Sequence, residues 1–385
     1  MVFTAVFRPT PLIAQARISQ LLRHFSSTSL RPSSTSSHTN TFRMTYPSTI
    51  KAVGINKTGD VDVIEDLTLP FPEQKPGELL VKVQYAGVNF IDTYMRRGIY
   101  PPAFFPLPIA KEVSGVIAEL PTDPAVLNNE DYKKKGFKKG GKVAVDANGG
   151  LKEYVSVPWD FTYPLPSDIS TRVAAAGFLQ GLTTLGLMTD SYNVQKGDVV
   201  LIHTVAGGVG LLMAQVAKAR GATVIGTTST PEKAELAKAH GADHVILYKT
   251  EDTVKRVLEL TNGLGPHVIY DGVGKDTFAG DLEMIRRKGT LVSFGNASGV
   301  VDPVPLFKLT AKNIKLLRPT VTHYLTTLEE REFYGSQLFD LISKGDLKIN
   351  IFADYPFTAE GVRQAHTDLT GGKTTGKVLI KVADE

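Results

Sequence analysis

The sequence predicts an α/β chain: a doubly wound parallel sheet, preceded and then completed by a mainly antiparallel β domain. Three observations carry this. Residues 50–165 hold short strand-like runs broken by Gly and Pro. Residues 198–295 alternate apolar runs with helical patterns at least five times, the signature of parallel strands joined by crossover helices. Two more strand-like runs, DLKINIFADYPF and KVLIKV, follow near the C-terminus and read as strands returning to the first domain.

The first 43 residues are set apart by composition. They are rich in Arg, Ser and Thr and lack acid. Leu12, Ile13, Ala16, Leu21, Leu22 and Phe25 can share one helical face, with Arg17 and Arg23 on the other. This is the composition of a mitochondrial targeting leader, to be cleaved near RHFSS (23–27), and it predicts a matrix protein. Met44 precedes the folded part, and initiation there would give a cytoplasmic form. The formal charge of +4 comes from this leader, since Arg8, Arg17, Arg23, Arg31 and Arg43 all precede the first acid, Asp60. The rest is near neutral, which gives no charge argument for nucleic acid or membrane binding. There is no run of 18 apolar residues, so no membrane insertion is expected. With no cysteine, disulfides, thiolate nucleophiles and cysteine-held zinc are all excluded.

Residues 44–170 form the expected β-rich domain, with strands in IKAVGI, VDVIEDL, ELLVKVQYAGVNF, VSGVIAEL, GKVAV and KEYVSV. Residues 171–318 follow as the nucleotide-binding part. There DVVLIHTV (198–205) reads as a fully buried parallel strand. The turn AGGVG and the helix LLMAQVAKAR come next, then the strand ATVIGTT and the helix TPEKAELAKAHG, with Thr230 as N-cap and Pro231 at its first position. HVILY, HVIYDGV and GTLVSFG continue the strands, with helical patterns at 251–262 and 276–287 between them. Residues 319–385 return to the first domain.

The turn Ala206, Gly207, Gly208, Val209, Gly210 fits a dinucleotide fingerprint in its second and third glycines, with Val205 in place of the first. Gly207 lets backbone approach a pyrophosphate, Gly210 lets helix pack on strand, and the helix N-terminus offers unpaired N–H groups. At the end of the second strand an NAD enzyme usually carries a carboxylate for the ribose 2′-hydroxyl. Here GTTSTPEK offers Thr228, Ser229 and Lys233 instead, which suits a 2′-phosphate and predicts NADPH as the cofactor.

GVNFIDTYMRRGIYP (87–101), AAAGFLQGLTT (174–184), HTVAGGVGLLMAQVAKARGA (203–222), STPEKAELAKAHGADHVI (229–246), VIYDGVGKDTF (268–278) and VSFGNASG (292–299) occur in that order. In these stretches the chain resembles the NADPH:quinone oxidoreductases, the zeta-crystallin branch of the medium-chain dehydrogenase/reductase superfamily. The resemblance spans about residues 48–385. It implies a GroES-like catalytic domain, a Rossmann domain, a metal-free cleft between them, and a homodimer built through the Rossmann domain. It implies transfer of reducing equivalents to a quinone or conjugated carbonyl, possible in one-electron steps that release semiquinone. Asn89, Tyr94 and Tyr100 match its catalytic cleft. Thr183 matches a contact to the nicotinamide ribose and Tyr248 one beside the adenine. Ser293, Phe294, Gly295 and Lys373 match later cofactor contacts.

Zinc alcohol dehydrogenases of the superfamily carry cysteine where this chain has Asn89, and a Gly-His-Glu motif where it has Ala110-Lys111-Glu112. No metal site is therefore expected. Without a Lewis acid, a quinone or enone that accepts hydride with hydrogen-bond help is a better substrate than an alcohol. His203 and Asp271 lie near the turn, but on buried strand ends they read as structural. Two other functions stay open. An enone or alkenal double-bond reductase would use the same fold and cofactor. An RNA-binding protein would use DYKKKGFKKGGK (131–142), which is read in preference as a solvated loop.

Overall fold

The structure is a computed structural model, and it describes residues 46–385. The leader and Met44 readings lie outside the described residues. Eight strands come first: β1 (Thr49–Ile55), β2 (Ile64–Pro70), β3 (Glu78–Val88), β4 (Leu107–Pro108), β5 (Glu112–Glu119), β6 (Lys142–Asp146), β7 (Tyr154–Pro158) and β8 (Thr162–Pro164). Helices α1 (Phe90–Arg96), α2 (Pro124–Leu127) and α3 (Glu130–Lys135) lie among them. After α4 (Thr171–Gly186), strands and helices alternate: β9 (Val199–Ile202), α5 (Gly208–Ala219), β10 (Thr223–Thr228), α6 (Pro231–Ala239), β11 (His244–Leu247), α7 (Thr253–Leu260), β12 (Val268–Asp271), α8 (Phe278–Met284), β13 (Thr290–Ser293) and β14 (Lys315–Leu317). The chain ends with α9 (Leu328–Ser343), β15 (Ile351–Pro356), α10 (Ala359–Thr370) and β16 (Lys377–Lys381).

The parallel sheet runs β11-β10-β9-β12-β13-β14. Its order reverses between β9 and β12, and such a reversal opens a crevice at the strands' carboxyl ends. Alternate residues of these strands serve two cores. Val200, Ile202, Val224, Val268 and Val292 pack against Leu212 and Met213 of α5. Leu201, Ile225, Ile246, Ile269 and Leu291 pack on the other face against Val257 and Phe278. Burial on both faces is what the near-continuous apolar runs require.

The second large sheet runs β15-β16-β3-β5-β6-β8, with β7 also on β3. The return strand β16 pairs antiparallel with β3, setting Val378 against Val88 and Ile380 against Ala86. Strands β2, β1 and β4 form a small antiparallel sheet beside it. Helix α4 touches both halves: Phe178 and Leu182 join the nucleotide-side core, while Ala175 and Ala176 pack with Tyr85 of β3 and Leu379 of β16.

Some expectations change. The helical pattern at 276–287 ends at Met284, because Ile285 turns extended with ψ 143°. Residues 131–142 are not simply a loop. Asn129 caps α3 by accepting from the N–H groups of Asp131 and Tyr132, and Gly136 closes it at φ 62°. Five of the six lysines in this stretch have an acidic or carbonyl partner. Lys133 pairs with Glu130, Lys134 with Asp131, Lys135 with Glu332 and Lys139 with Glu119. Lys142 donates to the carbonyls of Ser167 and Ile169. Tyr132 is buried, edge-on to Trp159 at 5.7 Å.

Candidate active site

One cavity of about 700 Å³ opens between the two large sheets and runs across the carboxyl end of β9. It is lined at one end by Ala206, Gly207, Gly208, Val209, Gly210, Thr228, Ser229, Lys233 and Tyr248, and at the other by Asn89, Tyr94, Tyr100, Thr183, Phe294 and Gly295. All of these were singled out in the sequence. Ser293 and Lys373 are not on its wall. Ser293 is buried and lines a neighbouring depression with Tyr100 and Arg318. Lys373 is exposed and lies 3.0 Å from Asp368, between Gly372 and Thr374 of the cavity wall.

The glycine turn is built for close approach. A Cβ on Gly210 would sit 2.5 Å from the Thr204 carbonyl oxygen and 2.7 Å from Val205 Cα, so α5 could not pack on β9. A Cβ on Gly208 would strike the Gln180 amide of α4. One on Gly207 would meet only the Thr204 oxygen, at 3.2 Å, which leaves its outer side free for a ligand. Gly207 is the N-cap of α5 and brings no side chain, so the first-turn N–H groups stay open to the cavity. The turn thus presents unpaired N–H groups and no side chain to the cavity, the polarity that suits an anionic group.

At the end of β10, Thr228 accepts the Tyr248 N–H at its carbonyl and Ser229 follows it. Lys233 lies on the first turn of α6, and its Nζ donates to the carbonyls of Gly372, at 2.6 Å, and Thr374, at 3.3 Å. Burial, and then the charge of Lys249, hold its pKa below the ordinary lysine value. The cation is thus held at the rim beside two hydroxyls, with no carboxylate on the cavity wall to repel a 2′-phosphate.

At the catalytic end Asn89 is pinned. It is the N-cap of α1, and its own N–H donates to Asp92 Oδ2 at 2.8 Å. Its Nδ2 donates to Glu112 Oε1 at 2.8 Å and to the Gly87 carbonyl at 3.3 Å. Its Oδ1 accepts from Lys377 Nζ at 2.7 Å. Both amide hydrogens are thus engaged within the protein, and one lone pair of Oδ1 remains to accept. Glu112 also takes the Leu179 N–H at 2.6 Å and contacts Lys377, and all of this is buried. Removing one partner of such a buried pair costs about 3–5 kcal/mol. Burial drives the neighbouring Asp92 carboxyl up to about 7, with the Asn89 N–H and Lys377 opposing that shift.

The two tyrosines meet edge to face, centroids 5.5 Å apart. Tyr94 is buried, its hydroxyl accepts the Asn296 N–H at 2.9 Å, and burial raises its pKa to about 12. Tyr100 is more open, 39% exposed. Its hydroxyl accepts from Asn296 Nδ2 and Arg318 Nη2, both at 3.1 Å. With both lone pairs occupied, its own O–H proton is left to donate. Arg318 also donates to the carbonyls of Ser293 and Gly295. Thr183 lines the cavity while its hydroxyl bonds back to the Leu179 carbonyl.

His203 and Asp271 are held in structural roles. His203 Nε2 lies 2.7 Å from Asp281 Oδ1, and Nδ1 3.1 Å from the Thr227 hydroxyl. Burial would depress His203, but Asp281 outweighs it and holds the imidazole above its usual value. Asp271 Oδ1 takes the N–H groups of Val273 and Gly274 and the Thr277 hydroxyl. Among the described residues no group of three or more His, Cys, Asp or Glu is placed to hold a metal ion. Glu112, Lys377, Asn296 and Arg318 were not singled out as site residues.

Residues 75–167 match the alcohol dehydrogenase GroES-like domain family, and residues 208–335 the zinc-binding dehydrogenase family. Asn89 and Lys111 stand where zinc ligands would be needed, so the second family name does not describe this site. A probable quinone oxidoreductase of Schizosaccharomyces pombe is 38% identical, covering 85% of this chain and 96% of that protein. A quinone oxidoreductase of Pseudomonas aeruginosa is also 38% identical, covering 84% and 96%. The crystal structure of Escherichia coli quinone oxidoreductase complexed with NADPH superposes with a TM-score of 0.79 at 35% identity, covering 86% of this chain and 99% of that one. With this agreement along nearly the whole described chain, in sequence and in architecture, the protein belongs to the quinone oxidoreductase family of the medium-chain dehydrogenases/reductases.

Proposed function

We propose that the chain is an NADPH-dependent quinone reductase that works without a metal. The observation that carries this is the single cavity joining an uncapped helix N-terminus and a 2′-phosphate cradle to an aromatic, hydroxyl-bearing end. The N–H groups of Gly208, Val209 and Gly210 take the pyrophosphate, aided by the α5 dipole. Thr228, Ser229 and Lys233 hold the 2′-phosphate, with Tyr248 beside the adenine. The remaining lone pair of Asn89 Oδ1 orients the nicotinamide carboxamide, and Thr183, Phe294 and Gly295 complete the wall. Bound there, NADPH supplies a hydride. The chain's own residues position a flat acceptor against Tyr94, Tyr100 and Phe294, and Tyr100 donates its proton in a hydrogen bond to the acceptor carbonyl. Water reaches the open cleft and provides the proton that completes reduction.

Protein starting at Met44, supplied with NADPH or NADH and with an ortho-quinone, a para-quinone or an enal, tests the reading. NADPH-selective turnover of the quinones is expected. Turnover of the enal alone moves the function to double-bond reduction, and no oxidation by any quinone overturns the reading. We also propose a homodimer through the nucleotide-binding half, supported by exposed Leu306 and Phe307 close in sequence to the edge strand β14. Light scattering that gives the monomer mass would reject it. The acid-free, arginine-bearing leader supports mitochondrial targeting; N-terminal peptides beginning only at Met1 or Met44 would argue against it.

A further inference from the structure

We propose that Lys111 is a further catalytic residue, whose ammonium stabilises the negative charge that develops on the acceptor oxygen. The inference rests on the quinone reductase reading. Lys111 lies just before β5, next to the Glu112 that pins Asn89, and its carbonyl accepts the Ala147 N–H at 2.9 Å. Its side chain is only 11% exposed, yet it lines the cavity with Asn89, Phe90, Ile91 and Tyr94. Nζ sits 2.5 Å from Asp146 Oδ1, a carboxylate at the end of β6. An ammonium has three N–H groups, and Asp146 is its one charged partner among the described residues. Asp146 Oδ1 has no hydrogen-bond partner among the described residues, so it draws the ammonium by charge while leaving its N–H groups unspent.

The other cations on this wall are tied elsewhere. Lys233 is held by two carbonyls at the 2′-phosphate end, and Arg318 spends donors on two carbonyls and on Tyr100. Lys111 also occupies the position where zinc-dependent relatives carry a ligand histidine, so the side chain itself brings positive charge to that point of the cleft. Two-electron reduction adds a hydride to the quinone and leaves a hydroquinone monoanion, its charge on oxygen. A proton from water then gives the neutral hydroquinone, and the cofactor departs as NADP⁺. A cation fixed in a partly dry cleft lowers the energy of the anion far more than of the neutral quinone, which is the differential stabilisation that speeds the step.

The test uses the chain from Met44 with K111M, K111R and K111Q. Melting curves and NADPH titrations check fold and cofactor binding, and K111Q serves as the uncharged variant should K111M fail to fold. The first readout is not turnover: 4-nitrophenol is bound to the NADP⁺-saturated protein and titrated by its phenolate absorbance. Its apparent pKa should lie below that of the free phenol in the wild type and K111R, and rise by about one unit or more in the uncharged variants. In parallel, kcat with a quinone should fall roughly hundredfold to thousandfold in K111M, with NADPH affinity unchanged, and be largely kept in K111R. An unchanged nitrophenol pKa in K111M and K111Q, or K111R behaving like K111M, overturns the proposal. If the wild type reduces no quinone, the functional reading falls, while the nitrophenol titration still decides what Lys111 does.

Discussion

Tyr100 and Asn89 show how much a side chain's role depends on what already occupies its polar atoms. Asn89 gives its amide hydrogens to Glu112 and Gly87. Tyr100 receives two hydrogen bonds and keeps its own proton. Tyr100→Phe should therefore lower kcat for quinones by roughly hundredfold to thousandfold, the scale of a lost donor to a developing oxyanion. NADPH affinity, measured by fluorescence titration, should stay within about twofold, because the hydroxyl is assigned to the acceptor and not to the cofactor. Asn89, Tyr94 and Tyr100 were legible in the sequence because they fall in one short stretch. Glu112 and Lys377 were not recognised as their partners. Lys377 opens the strand-like run KVLIKV, and folding buries it completely beside a residue 288 positions away.

At the scale of elements, α10 holds an unusual core residue. His366 is fully buried and neither ring nitrogen has a hydrogen-bond partner among the described residues. Burial, and then the Arg96 charge, push its pKa down to about 3. The folded state therefore resists its protonation. This contribution is intact above the ordinary histidine value and is lost as pH falls from about 6.5 toward about 3, by about 1.4 kcal/mol per pH unit. Asp92 acts in the opposite sense. Burial raises its carboxyl to about 7, so its contribution is present at acid pH and lost as pH rises toward 7. Comparing His366→Leu with the wild type isolates the histidine. The variant should be stabilised at neutral pH by about 1 kcal/mol or more through loss of two unpaired polar atoms. Its advantage in denaturant melts should grow by about 2 kcal/mol between pH 8 and pH 5. An advantage that does not change with pH would refute the account. Elements with strong punctuation were legible, such as α6 with Thr230 and Pro231 at its start. The short α3 was not, because its lysine run masks an Asn129 cap and acidic partners three residues before Lys133 and Lys134.

For the whole molecule, the cofactor is the bridge. Its cradle belongs to the parallel sheet, but Gly372 and Thr374, which hold Lys233, lie just before β16 of the other sheet. A ligand spanning the cavity stabilises both halves by mass action, by about 2.7 kcal/mol at 100 times its Kd. NADPH should raise the melting temperature more than NADH at equal concentration. Lys233→Glu should remove that difference and raise KM for NADPH far more than for NADH; equal effects on the two would reject the 2′-phosphate site. The sheet order could be anticipated from strand–helix alternation, since right-handed crossovers allow few alternatives. The relative placement of the two sheets could not, because it depends on α4 packing its small residues against strands far away in sequence.

The pairing of β16 with β3 has a consequence for how the protein is made. A ribosome emits the complete nucleotide-binding sheet, from β9 to β14, before the strand that closes the catalytic sheet exists. During that interval the Tyr85–Val88 edge of β3 has no neighbour on the β16 side, and Glu112 has no lysine to answer it. Translation arrested before residue 377 would thus release a chain able to finish its cofactor half but not its catalytic half. Such a fragment would compete for NADPH while offering chaperones, and other nascent copies, an open strand edge.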